Sequence, residues 1–128
     1  MATVHEIYDV MQQMAPLELA ESWDNPGLLL GHLSQHVHKI MVALDLSVEV
    51  AEQAVEQECD IIITHHPYYF KLPRTLAVTD IKMEVLYELI KHDIALYAAH
   101  TNLDAAKGGV NDVLAARLGL DDVTEIPR

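Results

Sequence analysis

The stretch that decides the fold is DIIITHHP, residues 60–67. Its residues 61–64 are all β-branched, which favours a strand. A strand that is apolar on both faces is typical of the centre of a parallel sheet, where helices cover both sides. Pro67 holds His66 in an extended conformation and ends the strand. The stretch therefore predicts a buried parallel strand that carries His65 and His66 at its carboxyl end.

Strands and helices alternate on both sides of this stretch. Short apolar runs predict further strands, and apolar residues at helical spacing predict helices. The predicted strands cover 28–30, 40–44 and 94–99, and the predicted helices cover 3–15, 47–58, the region of 86–90, and 110–118. This alternation implies right-handed crossover connections. We therefore expect an α/β fold, a mainly parallel or mixed sheet flanked by helices in a single domain.

Two helix ends carry specific signals. Thr3 is followed three residues later by Glu6, the spacing of a capping box at a helix start. Gly119 followed by apolar Leu120 fits a Schellman-type stop for the last helix.

The composition restricts the class of protein. The 128 residues include 20 acidic and 8 basic side chains, for a net charge of -12, and 51% are hydrophobic. This describes a globular protein and argues against nucleic acid or an anionic membrane as the main partner. We also expect a cytoplasmic protein, because the sequence shows neither an apolar membrane span nor a basic leader.

The histidine and cysteine contents favour one kind of chemistry. The chain has 8 histidines, as many as its lysines and arginines together, and a single cysteine. One cysteine excludes an intramolecular disulfide and a cysteine-based zinc cage. The histidine surplus points to metal sites with nitrogen and oxygen ligands.

The first candidate site is the His65-His66 pair. Side chains of adjacent strand residues point to opposite faces, so one ion is not easily bound by both imidazoles. Two ions, one for each histidine, could be bound if the chain turns there. The alternative is two surface histidines that merely follow a strand.

The second candidate site is His100 with Asp104, directly after the predicted strand 94–99. In α/β folds ligands bind beyond the carboxyl ends of strands, where this pair would meet His65 and His66. The alternative is that Asp104 caps a helix and His100 is a core residue. The presence of two such clusters on successive strand ends favours a site.

Other residues give weaker indications. The histidines of residues 31–39 predict a hydrophilic loop or hairpin rather than a metal chelate. Asp45 could contact a metal ligand without contacting the metal itself, or could belong to the helix start at Ser47. Trp23 is interpreted as a core anchor, and Cys59 as a small buried hydrophobe.

Four motifs together resemble a known family. They are WDNPGLLLG at 23–31, VALDLS at 42–47, DIIITHHP at 60–67 and AAHTNLDAAKGGVNDVLAARLGL at 98–120. In order and spacing they resemble the NGG-interacting-factor-three-like proteins, also called GTP cyclohydrolase I type 2 homologs. The resemblance covers nearly the whole chain except 32–38 and 70–80.

The resemblance implies a site and an activity. His65, His66 and Asp104 each correspond to a ligand of a two-metal centre, and His100 corresponds to a histidine that is a ligand or lies beside it. The metals would be divalent cations, with Zn, Fe, Mn and Co all compatible. The resemblance also implies a toroidal homohexamer with its metal sites facing an internal cavity. The implied reaction is hydrolytic opening of the imidazole ring of GTP, with release of formate.

The resemblance also implies that half of the site lies elsewhere. Members of the family are about twice as long, and their second half supplies a further His and Glu in an HxxxE pattern. Residues 1–128 are thus expected to be the N-terminal-type metal-binding domain, either as a fragment of a longer protein or as a natural short form that uses ligands from another chain, and we favour the fragment. The leading hypothesis is a two-metal hydrolase acting on a nucleotide or another small molecule. The alternative is a metal-binding interaction or regulatory module without turnover.

Overall fold

The computed structural model describes residues 1–126; the last two residues of the single domain predicted over 1–128 lie outside this part. Within it, helices and strands alternate along the chain as predicted. The helices are α1 (Val4–Met14), α2 (Val48–Glu56), α3 (Ile81–Lys91), α4 (Thr101–Ala105) and α5 (Val110–Arg117).

Four strands form the main sheet. Strand β5 (Ile61–Thr64) lies between β4 (Ile40–Ala43) and β6 (Ala95–Ala98) and is parallel to both. At the other edge, β2 (Gly27–Leu30) pairs with β6 and is antiparallel to it. The sheet is therefore mixed, and the predicted α/β fold is confirmed.

Helices cover both faces of the central strand. Ile61 packs in one buried cluster with Val4 of α1 and Tyr97 of β6. Ile62 packs in a second cluster with residues of α2 and with Leu89 of α3. Because neighbouring strand residues point to opposite faces, α1 covers one side of the sheet and α2 and α3 cover the other. This packing holds the carboxyl ends of β5 and β6 side by side.

The predicted signals at the helix ends are confirmed. The Thr3 hydroxyl accepts the N–H of Glu6 at 3.3 Å, and the Glu6 carboxylate accepts the N–H of Thr3 at 2.8 Å. Gly119 has a φ of +68°, and its N–H and that of Leu120 bond back to carbonyls of the last turn of α5. Both bonds of a Schellman motif are therefore present.

The short helix α4, a 3-10 turn at Leu17–Leu19 and two short strands have no counterpart in the prediction. Strands β1 (Ala2–Thr3) and β3 (His36–Val37) pair with each other outside the main sheet. Strands of two residues are too short to show the alternation that identifies a strand in a sequence. The Asp60 carboxylate accepts the N–H groups of His38 at 2.7 Å and Lys39 at 2.9 Å, which joins this region to the start of β5.

A helix must be about 20 residues long and mostly apolar to cross a bilayer. Among residues 1–126, no helix is both long enough and apolar enough to cross a bilayer.

Candidate metal centre

Three histidines converge at the carboxyl ends of β5 and β6. His65 and His66 follow β5, and His100 follows β6, its parallel neighbour. One ring nitrogen of each lies within 4.8 Å of those of the other two. Among residues 1–126 this is the only set of three or more His, Cys, Asp or Glu side chains so arranged. The structure thus brings both predicted clusters together.

The chain turns at the His65-His66 pair, which is the condition under which the sequence allowed both histidines to bind metal. The two imidazoles do not diverge to opposite faces: their ring centroids are 5.0 Å apart. The reason is that β5 ends at Thr64, and the chain turns where both histidine N–H groups donate to the carbonyl of Leu44 at 3.2 Å. The buried Thr64 hydroxyl also donates to the carbonyl of His66 at 3.0 Å. Both rings can therefore face the same ion or two adjacent ions.

Asp104 adds a carboxylate to the cluster. Its Oδ1 lies 3.4 Å from Nε2 of His65, and its side chain is 35% exposed. It lies within α4, one turn after His100, and its N–H donates to the His100 carbonyl at 3.0 Å. The alternative in which Asp104 caps the last helix is wrong, because Gly109 occupies that position in α5.

Each of the three imidazoles is fixed through its Nδ1 atom. Nδ1 of His65 lies 2.7 Å from the carbonyl of Ala99, which can only accept, so this nitrogen carries the proton. Nδ1 of His66 lies 2.7 Å from the Asp45 carboxylate. Nδ1 of His100 lies 2.9 Å from a carboxylate oxygen of Asp24. These contacts leave Nε2 of each ring with its lone pair available to a metal.

Asp24 belongs to the candidate site, although the sequence did not single it out. Its side chain is 0% exposed, and besides His100 it accepts the N–H of Thr101 at 3.0 Å and the hydroxyl of the same residue. Burial alone would raise the pKa of Asp24, but the hydrogen bonds from Thr101, His100 and Asn25 outweigh it and hold the pKa below its usual value. Asp24 lies in the WDNPG segment, which has the composition of a turn. Turn composition accounts for an aspartate at this position, so it gave no reason to expect a histidine as its partner.

Asn102 fixes the backbone around His100. It is fully buried, its Nδ2 donates to the carbonyl of Ala15 at 2.8 Å, and its Oδ1 accepts the N–H of His100 at 2.9 Å. The start of α4 is thereby tied to the end of α1. His100, whose side chain is only 14% exposed, is oriented through both its backbone and its ring.

Trp23 was predicted to be a core anchor, and this prediction is wrong. The indole is 60% exposed and lies beside Phe70, with ring centroids 5.9 Å apart. Cys59, in contrast, is buried as predicted, at 5% exposed. It belongs to the core cluster of α2 and α3 and not to the histidine cluster.

The fold and the cluster define an α/β protein with histidine and carboxylate donors at the carboxyl ends of parallel strands. The sequence profile of Duf34/NIF3 (NGG1p interacting factor 3) matches residues 2–128. The chain belongs to the Duf34/NIF3 family.

Relatives and solved structures agree with this membership. The chain is 44% identical over 125 residues to a Listeria innocua protein named GTP cyclohydrolase 1 type 2 homolog, covering 98% of this chain and 34% of the relative. A Clostridium perfringens protein of the same name is 40% identical over 118 residues, covering 92% of this chain and 45% of the relative. The chain therefore spans between a third and a half of the length of these two relatives.

Two solved structures resemble the fold closely. The Bacillus cereus protein related to NIF3 superposes with a TM-score of 0.88 at 40% identity, covering 94% of this chain and 33% of that chain. Reduced HcgD from Methanocaldococcus jannaschii gives a TM-score of 0.88 at 37% identity, covering 94% of this chain and 48% of that chain.

Proposed function

We propose that this chain carries part of a centre for two divalent metal ions and that the complete protein is a metal-dependent hydrolase. The observation that carries the proposal is the common arrangement of His65, His66 and His100, each held by a hydrogen bond at Nδ1. Metal-binding histidines almost always have the second ring nitrogen held in this way, since it fixes the tautomer and the ring orientation. Asp104 adds an oxygen donor beside His65.

The donor set fits such metals. Imidazole nitrogens with a carboxylate and no sulfur suit Zn, Fe, Mn or Co, without selecting among them. The chemistry that two such ions supply when bound is activation of water and polarisation of the substrate. The protein orients Nε2 of each histidine, and Asp24 and Asp45 fix the tautomer and the orientation of the rings that they contact.

The substrate in this proposal is a nucleotide or another small molecule. Support comes from the two relatives, each of which is named GTP cyclohydrolase 1 type 2 homolog. The corresponding reaction is hydrolytic opening of the imidazole ring of GTP, with release of formate.

The remaining ligands and the assembly belong to the same proposal. Residues 1–128 act as the N-terminal-type metal-binding domain, a further His and Glu come from outside it, and the complete protein forms a cytoplasmic homohexamer. Edge strand β4 and the residue after it support association, because alternate apolar side chains there are exposed: Ile40 at 41%, Val42 at 77% and Leu44 at 63%. Apolar surface on an edge strand favours contact with another chain.

Metal uptake and turnover test the proposal together. The purified chain is incubated with Zn²⁺, Fe²⁺, Mn²⁺ or Co²⁺, desalted and subjected to elemental analysis, and the complete protein, which contains the further His and Glu, is assayed for formate released from GTP. We expect bound metal, and formate only when metal is present. Metal uptake without a product from GTP or simple phosphoesters would favour a non-catalytic interaction or regulatory module. Failure to take up any of the four metals would contradict the proposal.

A separate prediction concerns Asp45. Its carboxylate lies 2.7 Å from Nδ1 of His66 and its side chain is 59% exposed, so Asp45→Ala should leave the fold unchanged. Metal affinity should fall about 10-fold or more, because the outer partner that orients a histidine ligand is lost. Equilibrium dialysis measures the change. The matched control is Asp9→Ala, another exposed aspartate near a histidine, at 3.7 Å from His5. Equal losses in both variants would refute this role for Asp45.

A further inference from the structure

The only tryptophan and the only phenylalanine of the chain lie together beside the histidine cluster. Trp23 is 60% exposed and Phe70 is 50% exposed. Their ring centroids are 5.9 Å apart, and each centroid lies 6.1 Å from that of His100. Two large aromatic side chains thus border the candidate metal centre without being buried by this domain.

The backbone beneath these two rings is held in place. Nδ2 of Asn25 donates to the carbonyl of Tyr69 at 2.7 Å, which joins the segment after Trp23 to the segment before Phe70. The residue between Trp23 and Asn25 is Asp24, whose side chain is 0% exposed and is hydrogen-bonded to the start of α4. The backbone beneath the exposed rings is therefore fixed, and contiguous exposed apolar surface beside a polar site can mark a place where a ligand binds.

We propose that Trp23 and Phe70 form an aromatic wall that binds a planar heteroaromatic ring of the ligand next to His100. The inference rests on the proposed function. It adds how the protein would recognise the part of the substrate that the metals do not contact. Stacking of a base on an aromatic side chain contributes about 1–3 kcal/mol and tolerates different bases, since every base has a π face. The two rings are inclined by 50°, so a planar ligand can stack on one of them and meet the edge of the other.

The position of the wall determines which ligand fits. A ring packed against Trp23 and Phe70 lies beside His100, and therefore within reach of the group of three imidazoles. A ligand with an aromatic heterocycle is thereby oriented with the heterocycle, rather than a phosphate tail, toward the centre. This orientation matches hydrolysis of a ring and not of a phosphoester.

The sole tryptophan makes the wall directly observable. The metal-loaded chain is titrated with GTP and with tripolyphosphate, which has the charge of the nucleotide tail but no ring, while Trp23 emission is recorded. We expect saturable quenching by GTP and by guanosine, and none by tripolyphosphate. Phe70→Leu should weaken GTP binding about 10-fold, the equivalent of one lost stacking contact.

Controls separate this inference from the metal proposal. Tyr87→Leu removes a partly buried aromatic ring from α3, in the groove between α2 and α3, and should change GTP affinity by less than about two-fold. Elemental analysis of the wild-type chain reports on the metal proposal alone, and Phe70→Leu should keep the full metal content. Two results would contradict the aromatic wall without affecting the metal proposal. One is bound metal together with equal quenching by GTP and tripolyphosphate. The other is an affinity of Phe70→Leu for GTP equal to that of the wild type. A wall covered by another protein segment would give this same result.

Discussion

Replacing both His65 and His66 by alanine should abolish metal binding by the purified chain. The two rings supply two of the three clustered imidazoles, and the double variant leaves only His100 with Asp104. We expect affinity to fall by more than about 100-fold, because loss of even an outer partner of a ligand costs about 10- to 100-fold. Elemental analysis after dialysis, together with circular dichroism to verify the fold, measures the effect.

The chain provides a matched control for this experiment. His36 and His38 are another closely spaced pair, both exposed, and neither belongs to the cluster. The His36→Ala, His38→Ala double variant should retain the metal content of the wild type. Equal metal in the wild type and in the variant without His65 and His66 would remove the basis of the proposed function.

The second large effect is expected for Asp24→Ala. The substitution leaves the N–H of Thr101 and Nδ1 of His100 without their acceptor in a part of the structure where the Asp24 side chain is 0% exposed. Unsatisfied buried donors and a lost charged partner cost about 3 kcal/mol in the free energy of unfolding. Urea unfolding followed by circular dichroism measures this loss.

Two further variants define what Asp24 does. Asp121→Ala removes an exposed aspartate beyond α5 and should change the free energy of unfolding by less than about 0.5 kcal/mol. Asp24→Asn keeps the shape and one acceptor, so its loss should lie between those of the two alanine variants. An Asp24→Ala protein as stable as the wild type would show that the four hydrogen bonds to the Asp24 carboxylate add nothing to the fold.

Local signals made much of the fold predictable from the sequence. The β-branched run of Ile61–Thr64 predicted the central strand, and the Thr3–Glu6 and Gly119–Leu120 pairs predicted helix ends that the structure contains. Each depends on residues within a few positions of one another. The prediction that His65, His66, His100 and Asp104 would meet required one long-range step, that adjacent parallel strands end at the same edge.

The remaining features depend on contacts that no local pattern reveals. Asp24 reaches His100 across 76 residues, and a turn motif contains nothing that indicates this partner. The common orientation of His65 and His66 depends on where β5 ends, and element ends are the least predictable part of a sequence analysis. Trp23 was assigned to the core because large apolar rings are usually buried there, whereas its neighbours Asp24 and Asn25 hold it at the surface.

The bond between Asp24 and His100 also bears on when the proposed centre can retain a metal. The two residues lie near the neighbouring strands β2 and β6, and His65 and His66 come from β5 on the other side of β6, so the site needs the assembled sheet. An unfolded or half-synthesised chain has no such pocket, so the proposed ion should bind the native state in preference to the unfolded one. Bound metal would then raise the apparent stability by mass action, by up to about 2.7 kcal/mol when free metal is 100 times the dissociation constant. We therefore expect starvation for metal to lower the amount of folded protein.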